Sequence, residues 1–389
     1  MSEGKKSFYS LLENLADSID ISETQHKKAE AHYMSVGQWL AKEDSPLAPY
    51  NPDIYPQGSF RLGTVVKPIT DQDEYDIDLV CQLNLSKKDI IQAELKQLVG
   101  DRLKESKTYK QMLDEKEGRR CWILNYADGG NFHMDILPSI PDIDSIKSLE
   151  LSRIPHELAK HAIYLTDKTS LNYKLYDSNW PCSNPKGYAE WFKEQMKVQF
   201  DLRRKMIADS MFAKIDTVPE YRVKTTLQRS IQLLKRHRDI AFINDQDNKP
   251  ISIIITTLAA LSYKNEADLY EALTSIVKGM PNHINMLNNV AWIQNPVNPK
   301  ENFADKWQGN PQKELNLRKW LLKVQADLDL ALTEENSFRR SDVLKKSFGI
   351  IAVNKAFSIT TGVKLNDNLT KVEKSPEIII RNPAKPWQK

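Results

Sequence analysis

The 389-residue sequence predicts an α+β fold, with a small mixed sheet flanked by helices and then a lobe built of helices. Three observations carry this. Residues 76–80 and 132–140 alternate apolar and polar side chains with the period of two that an extended chain requires. Around them, residues 5–42 and 87–104 space their apolar residues as helices do, and beyond residue 187 nearly every periodic stretch is helical. A chain this long exceeds what one hydrophobic core usually organises, so two lobes are expected.

Leu11, Leu12, Leu15 and Ile19, then Ala31, Met34, Trp39 and Leu40, give residues 5–42 their helical pattern, and Ser22 ahead of Glu23 is placed to start a second helix. Pro46, Pro49, Pro52 and Pro56 exclude a helix interior from 45–56 and make it a linker to Gly58. Gly58 and Ser59 form a small turn entering a helix. Asp73 and Glu74 read as a solvated turn beside the DIDLV strand (76–80). Ile90, Ile91, Leu95, Leu98 and Leu103 predict a helix over 87–104. Residues 120–126 and the strand from Phe132 flank ADGGN, which is hairpin chemistry. Residues 138–155 read as an excursion out of the sheet, and 166–192, dense in Asn, Pro, Ser and aromatics, as a loop. Further helices are predicted over 187–208, 225–242, 250–261, 266–277, 311–332 and 342–357, with a Pro- and Asn-rich connection over 289–307. The expected division is a first lobe over 1–165, a helical lobe over 166–357 and a tail over 358–389.

The chemistry gathers between residues 57 and 135. Asp76 and Asp78 lie two apart on an extended chain, so both carboxylates share one face. Like charges so placed repel, and either one keeps a proton or a cation lies between them. Mg²⁺ suits such a pair, since it takes oxygen ligands from one or two carboxylates and fills the rest with water and phosphate. Asp135, by the same alternation, supplies a third acid from another strand, completing a two-metal clamp for in-line displacement at phosphorus. His133 shares its face, either tuning the metal site or serving as a hydrogen-bonded structural residue.

Phosphate contacts are expected from the Gly58–Ser59 turn. Arg61 is either a further phosphate contact or a surface ion pair. Lys235, Arg236 and Arg238 stand near a helix end, where cations are stabilising without any ligand. Pro250 suits the first turn of the next helix, leaving Ser252 near an N-terminus that faces anions well. Trp180, Asn184, Lys186 and Tyr188 have two readings, base or sugar recognition, or a turn ahead of a helix.

GS at 58–59, DID at 76–78 and a later single Asp135, in that order on strand patterns, resemble the signature of the DNA polymerase β-type nucleotidyltransferases. Within that superfamily, QGSFRLGT (57–64) followed by DEYDIDLV (73–80) resembles the bacterial cGAS/DncV-like nucleotidyltransferases, which synthesise cyclic oligonucleotide signals in anti-phage defence. SNPKGYAEWF (183–192) and RNPAKPW (381–387) are similar to segments of related synthases.

The resemblance implies a polymerase β-like sheet, a long N-terminal helix bridging both lobes, and a helical lobe closing the cleft. It implies nucleotidyl transfer with release of pyrophosphate, on NTP substrates: ATP, with GTP or a pyrimidine nucleotide as further candidates. Two Mg²⁺ ions, replaceable by Mn²⁺, would be held by Asp76, Asp78 and Asp135. The triphosphate would be held by Gly58 and Ser59, with or without Arg61, and by Lys235 and Ser252, the positions matching the lysine and serine that hold it in the family. A separate effector protein would receive the cyclic product, and an accessory regulator of the defence system would bind the enzyme.

Composition narrows the alternatives. With 40% apolar and 28% charged residues the chain is neither disordered nor membrane-embedded. No apolar run approaches the roughly 18 residues that span a bilayer, since Ser252, Thr256 and Thr257 interrupt the longest candidate, 251–261. The first ten residues carry no secretory signal. Three scattered cysteines argue against a disulfide framework and a zinc site, and for a reducing cytoplasm. A net charge of +3 does not advertise nucleic acid binding. An RNA nucleotidyltransferase would use the same acids but needs a basic, aromatic-lined channel, and KEGRR (116–120), DLRRK (201–205) and KRHR (235–238) are dispersed. A protein-modifying transferase shares the acids too. Against a non-enzymatic nucleotide or RNA sensor stand the three intact aspartates.

Overall fold

The computed structural model describes residues 3–69, 75–126, 132–176, 179–211 and 214–363. Asp73, Glu74, the ADGGN turn and most of the tail lie outside them. The N-terminal helical pattern forms two helices, α1 (Glu3–Ile19) and α2 (Glu23–Ala41). Ser22 separates them with a capping box, its hydroxyl accepting from the Gln25 N–H while the Gln25 side chain accepts from the Ser22 N–H. Each helix joins a different core. Phe8, Leu12 and Leu15 of α1 pack among the helices of the second lobe, and Ala29, Val36 and Leu40 of α2 pack under the sheet.

The sheet starts with β1 (Asp53–Gln57), which runs directly into the one-turn helix α3 (Gly58–Leu62), and β2 (Tyr75–Gln82) pairs antiparallel with β1. The crossover helix α4 (Gln92–Glu105) and the short α5 (Lys107–Met112) lead to β3 (Trp122–Tyr126) and β4 (Phe132–Pro141). Because α4 intervenes, β4 can lie parallel to β2. α4 begins at Gln92 rather than 87, since Ser86 and Asp89 bond one another's backbone in a local turn.

β4 is long enough for two partners end to end. Its first half pairs with β3, and its last residues pair with β5 (Ile163–Leu165), which follows the short helices α6 (Ile146–Leu151) and α7 (His156–Ala159). Pro138, expected outside the sheet, lies within β4. It falls between the last β3 pair, at Ile136, and the first β5 pair, at Ser139, where one side of the strand has no ladder partner. β6 (Cys182–Ser183) adds to β5, so the sheet runs past the expected boundary at 165.

The second lobe comprises α8 (Pro185–Ser210), α9 (Thr226–Ala241), α10 (Ser252–Ser262) and α11 (Leu269–Gly279), followed by two small hairpins. These are β7 (Asn285–Leu287) with β8 (Val290–Trp292), and β9 (Gln294–Asn295) with β10 (Asn298–Asn302). Asn288 and Asn289, both at positive φ (50° and 61°), form the turn of the first, so the expected connection is folded. Three helices complete the described residues, α12 (Gln312–Thr333), α13 (Ser337–Phe348) and α14 (Ile350–Thr361). The single last helix expected over 342–357 is broken at Gly349, whose φ of 92° no helix accommodates. Among the described residues no helix is long and apolar enough to cross a membrane.

α9 runs through the middle of this lobe and is fixed there by a buried polar network. His237 Nδ1 accepts from Trp320 Nε1 (3.0 Å), so Nε2 carries the proton and donates to Asp327 Oδ2 (3.0 Å), which also accepts from Lys323 (2.8 Å) and Ser347 (2.6 Å). Burial opposes the Asp327 charge, but these donors outweigh it and hold its carboxyl well below the usual range. A depressed carboxyl contributes stability above its unfolded-state value and loses it as pH falls toward the folded one. Asp327→Asn is therefore expected to cost about 3 kcal/mol at neutral pH and to flatten the acid limb of the stability profile, measured by urea unfolding between pH 3 and 7.

Candidate active site

Sheet register builds one wall of the site. Ile77 and Leu79 of β2 are buried, so Asp76 and Asp78 face the opposite side. In the parallel β2–β4 ladder Asp78 lies opposite Asp135, and Asp76 opposite His133. In the antiparallel β1–β2 ladder Gln57 lies opposite Asp78, which delivers Gly58 to the same carboxylate. The glycine has two separate reasons: φ is +61°, and a methyl group there would overlap Asp78 Oδ2. Of the GSFRLGT segment, Gly58, Ser59, Leu62 and Thr64 line a cleft of about 770 Å³, with Asp76 and Asp78.

Helices α9 and α10 build the other wall. Lys235 is buried, and its Nζ donates to Thr64 O (3.1 Å) and Thr64 Oγ1 (3.2 Å), so it spans the cleft to the loop after α3. One turn on, Arg238 donates to Pro250 O (3.1 Å) and Ser252 Oγ (3.0 Å), and Ser252 is the first residue of α10. Asp239 pairs with Arg238 (2.7 Å) and lies 3.9 Å from Lys249. Pro250 stands just before the helix rather than in its first turn. Arg236 instead donates to the carbonyls of Lys67 (2.6 Å) and Pro68 (3.2 Å), tying α9 to the same loop.

The electrostatics follow from this packing. Burial, then the charges of Asp135 and Asp76, push the Asp78 carboxyl up to about 6. Burial also raises Asp135. Its Oδ2 accepts from the Cys121 thiol (3.3 Å), while the buried Oδ1 has no hydrogen-bond partner. His133 Nε2 stands 3.1 Å from Asp76 Oδ1. With Asp76 turned to His133 and Asp135 to Cys121, no three His, Cys, Asp or Glu side chains among the described residues are already gathered as a metal cage. On the facing wall burial, helped by Arg238, lowers Lys235 to about 7.

Of the residues singled out in the sequence, Gly58, Ser59, Asp76, Asp78, Lys235 and Ser252 line this one cleft, and Asp135 adjoins it through Asp78. Arg61 does not line it. It lies roughly 200° round α3 from Ser59 and pairs with Glu190 (3.4 Å), so the ion-pair reading is the one the structure displays. Trp180 is buried against Tyr164, and Lys186 pairs with Asp53 over the Tyr55 ring. Asn184 caps α8 through the Gly187 N–H (2.9 Å), and the Tyr188 hydroxyl bonds Thr257 (2.8 Å). These last two still line a second cavity, of about 230 Å³, that shares Gly58, Leu62 and Ile253 with the cleft. Thr64, Cys121 and Lys249 went unnoticed, and Arg238 was read only as a helix-end cation. Its spacing of three from Lys235 places both on one helix face, a signal that was available.

Residues 7–156 match the model of the Second Messenger Oligonucleotide or Dinucleotide Synthetase domain. Over 313 residues the chain is 31% identical to a c-di-GMP synthase of Roseivirga ehrenbergii, covering 80% of this chain and 76% of that protein. It is 25% identical over 338 residues to the cyclic dinucleotide synthase CdnG of Bradyrhizobium diazoefficiens, covering 83% of this chain and 76% of the relative. The solved structure of that CdnG in complex with GTP shares the fold, with a TM-score of 0.69 at 21% identity over 90% of this chain and 98% of that one. So does CdnC of E. coli MS115-1 in its complex with HORMA-deltaN, with a TM-score of 0.60 at 12% identity over 88% and 96% of the two chains. The chain belongs to the bacterial cGAS/DncV-like nucleotidyltransferases, and it is an enzyme that joins nucleotides into cyclic oligonucleotides.

Proposed function

We propose that the enzyme joins two GTP molecules into a cyclic dinucleotide of the c-di-GMP type, and that this product acts on a separate effector in bacterial anti-phage defence in the cytoplasm. The observation that carries the chemistry is the in-register pair Asp78 and Asp135 beside Gly58, facing Lys235, Arg238 and Ser252 across one cleft. The c-di-GMP synthase relative and the GTP complex of CdnG favour guanine nucleotides. The HORMA complex of CdnC favours an accessory protein as regulator.

The donor set fits divalent ions. Asp135 keeps a buried oxygen without a donor, and Asp78 is raised by burial and then by the charges of its two neighbours, a conflict that a hard cation relieves. Asp76, Asp78 and Asp135 would hold Mg²⁺, or Mn²⁺ in its place, which when bound would favour deprotonation of the attacking hydroxyl and offset charge on the leaving pyrophosphate. Gly58 leaves room for phosphate next to Asp78, and Ser59 holds the tail from the sheet side. Lys235, Arg238 and Ser252 hold it from the helical side. A ribose hydroxyl of the second nucleotide then attacks the α-phosphorus, forming an O–P bond as the bond to the bridging oxygen breaks. The same transfer repeated on the linear intermediate closes the ring.

Incubation with all four NTPs and Mg²⁺, followed by mass spectrometry before and after phosphatase, should yield a phosphatase-resistant cyclic product. Label appearing only on added RNA or protein would contradict the proposal. Asp78→Asn and Gly58→Ala should each lower product formation by about 10³-fold while circular dichroism stays unchanged. Lys235 near 7 adds a pH signature, because an arriving triphosphate favours its charged form and the complex takes up a proton. GTP affinity measured by calorimetry is therefore expected to weaken as pH rises from 7 to 9, and to lose this dependence in Lys235→Met.

A further inference from the structure

The second cavity carries a guanine-reading pair, and we propose that Glu301, positioned by Asn295, accepts hydrogen bonds from the base of a bound nucleotide. The inference rests on the nucleotidyl-transfer reading only for the placement of the phosphates. Gly58, Leu62 and Ile253 belong to both cavities, so a nucleotide whose phosphates meet Gly58 in the cleft can carry its base into the smaller space. At about 230 Å³ that space suits a base and not a whole nucleoside triphosphate. Tyr188 and Phe303, edge to face at 6.3 Å, give it aromatic walls for a planar ring.

Its polar wall is built rather than accidental. Asn295 is buried, and its Oδ1 accepts from the Val297 N–H (3.0 Å), which fixes the amide so that Nδ2 donates to Glu301 Oε2 (2.7 Å). Among the described residues no cation pairs with Glu301, and neither its Oε1 nor the second Nδ2 hydrogen of Asn295 has a partner. Burial pushes the Glu301 carboxyl up, against the Asn295 hydrogen bond and the charge of Arg120.

Guanine supplies what is missing. Its N1–H and exocyclic N2–H₂ are donors for the carboxylate, and its O6 is an acceptor for the spare amide hydrogen. Adenine and cytosine would turn ring-nitrogen lone pairs toward the carboxylate, and uracil offers a single N–H. The order expected at this site is guanine first, then uracil, with adenine and cytosine last.

Binding of GTP, ITP and ATP to the full chain, read by calorimetry with Ca²⁺ in place of Mg²⁺ to hold off turnover, tests this. Wild type should bind GTP about tenfold more tightly than ITP, which lacks the N2 amine. It should bind GTP about 10²-fold more tightly than ATP. Glu301→Gln should weaken GTP at least tenfold without weakening ATP, and Glu301→Asp should keep the preference for guanine. Equal GTP-to-ATP ratios in wild type and Glu301→Gln, or no guanine preference in wild type, would overturn the inference. Should Glu301→Gln not fold, the wild-type ranking decides alone. A chain that prefers guanine yet forms no cyclic product would contradict the proposed function and leave this assignment standing.

Discussion

The structure depends on the parallel pairing of β2 with β4. That ladder sets Asp78 against Asp135, and the β1–β2 ladder brings Gly58 to the same carboxylate. A slip of one residue in either ladder would turn the acids from the cleft to the core and bury like charges among Ile77, Leu79, Met134 and Ile136. The apolar side of the sheet, packed on α2 and α4, therefore enforces the register that the polar side uses. α4 contributes twice, as the crossover that makes parallel pairing feasible and as the helix that covers the apolar face.

The second wall has its own anchor. α9 carries Lys235 and Arg238 toward the cleft while its next residue but one, His237, is held from behind by Trp320 and Asp327. The cations are thus presented by a helix fixed in position by a buried polar network, which suits the proposed hold on a flexible triphosphate. Asp239 tempers the charge of Arg238 and leaves Lys235 facing the loop at Thr64.

The period of two in DIDLV and FHMDILPSI made the three aspartates legible, because an extended chain leaves no choice about which residues share a face. Ser22 was legible for a similar local reason, whereas the linker expected over 45–56 was only partly so, since residues 53–56 pair with β2 as part of β1. Register was not, since pairing partners are chosen by contacts distant in sequence, and so the match of Asp78 with Asp135 emerges only from the folded ladders. Arg61 shows the limit of motif reading: it follows Gly58 round the one-turn helix to the second cavity rather than to the cleft, and there it pairs with Glu190. Glu301 and Asn295 were invisible for a different reason. They sit on a short irregular hairpin with no periodicity, and nothing local ties them to Gly58, some 240 residues earlier. Gly349, like the spacing of Arg238 from Lys235, is a legible signal of the ordinary kind, a glycine inside an apparent helix that marks its end.

The central claim is that these strands hold three aspartates where they can share divalent ions beside a triphosphate. The most direct test is anomalous diffraction from crystals grown with Mn²⁺ and a nonhydrolysable GTP. Two Mn²⁺ peaks are expected against Asp76 and Asp78, one of them also bound by the otherwise unpartnered oxygen of Asp135, with the phosphates between Ser59 and Lys235. Manganese bound elsewhere, or phosphates lying outside that cleft while the sheet register is intact, would contradict it.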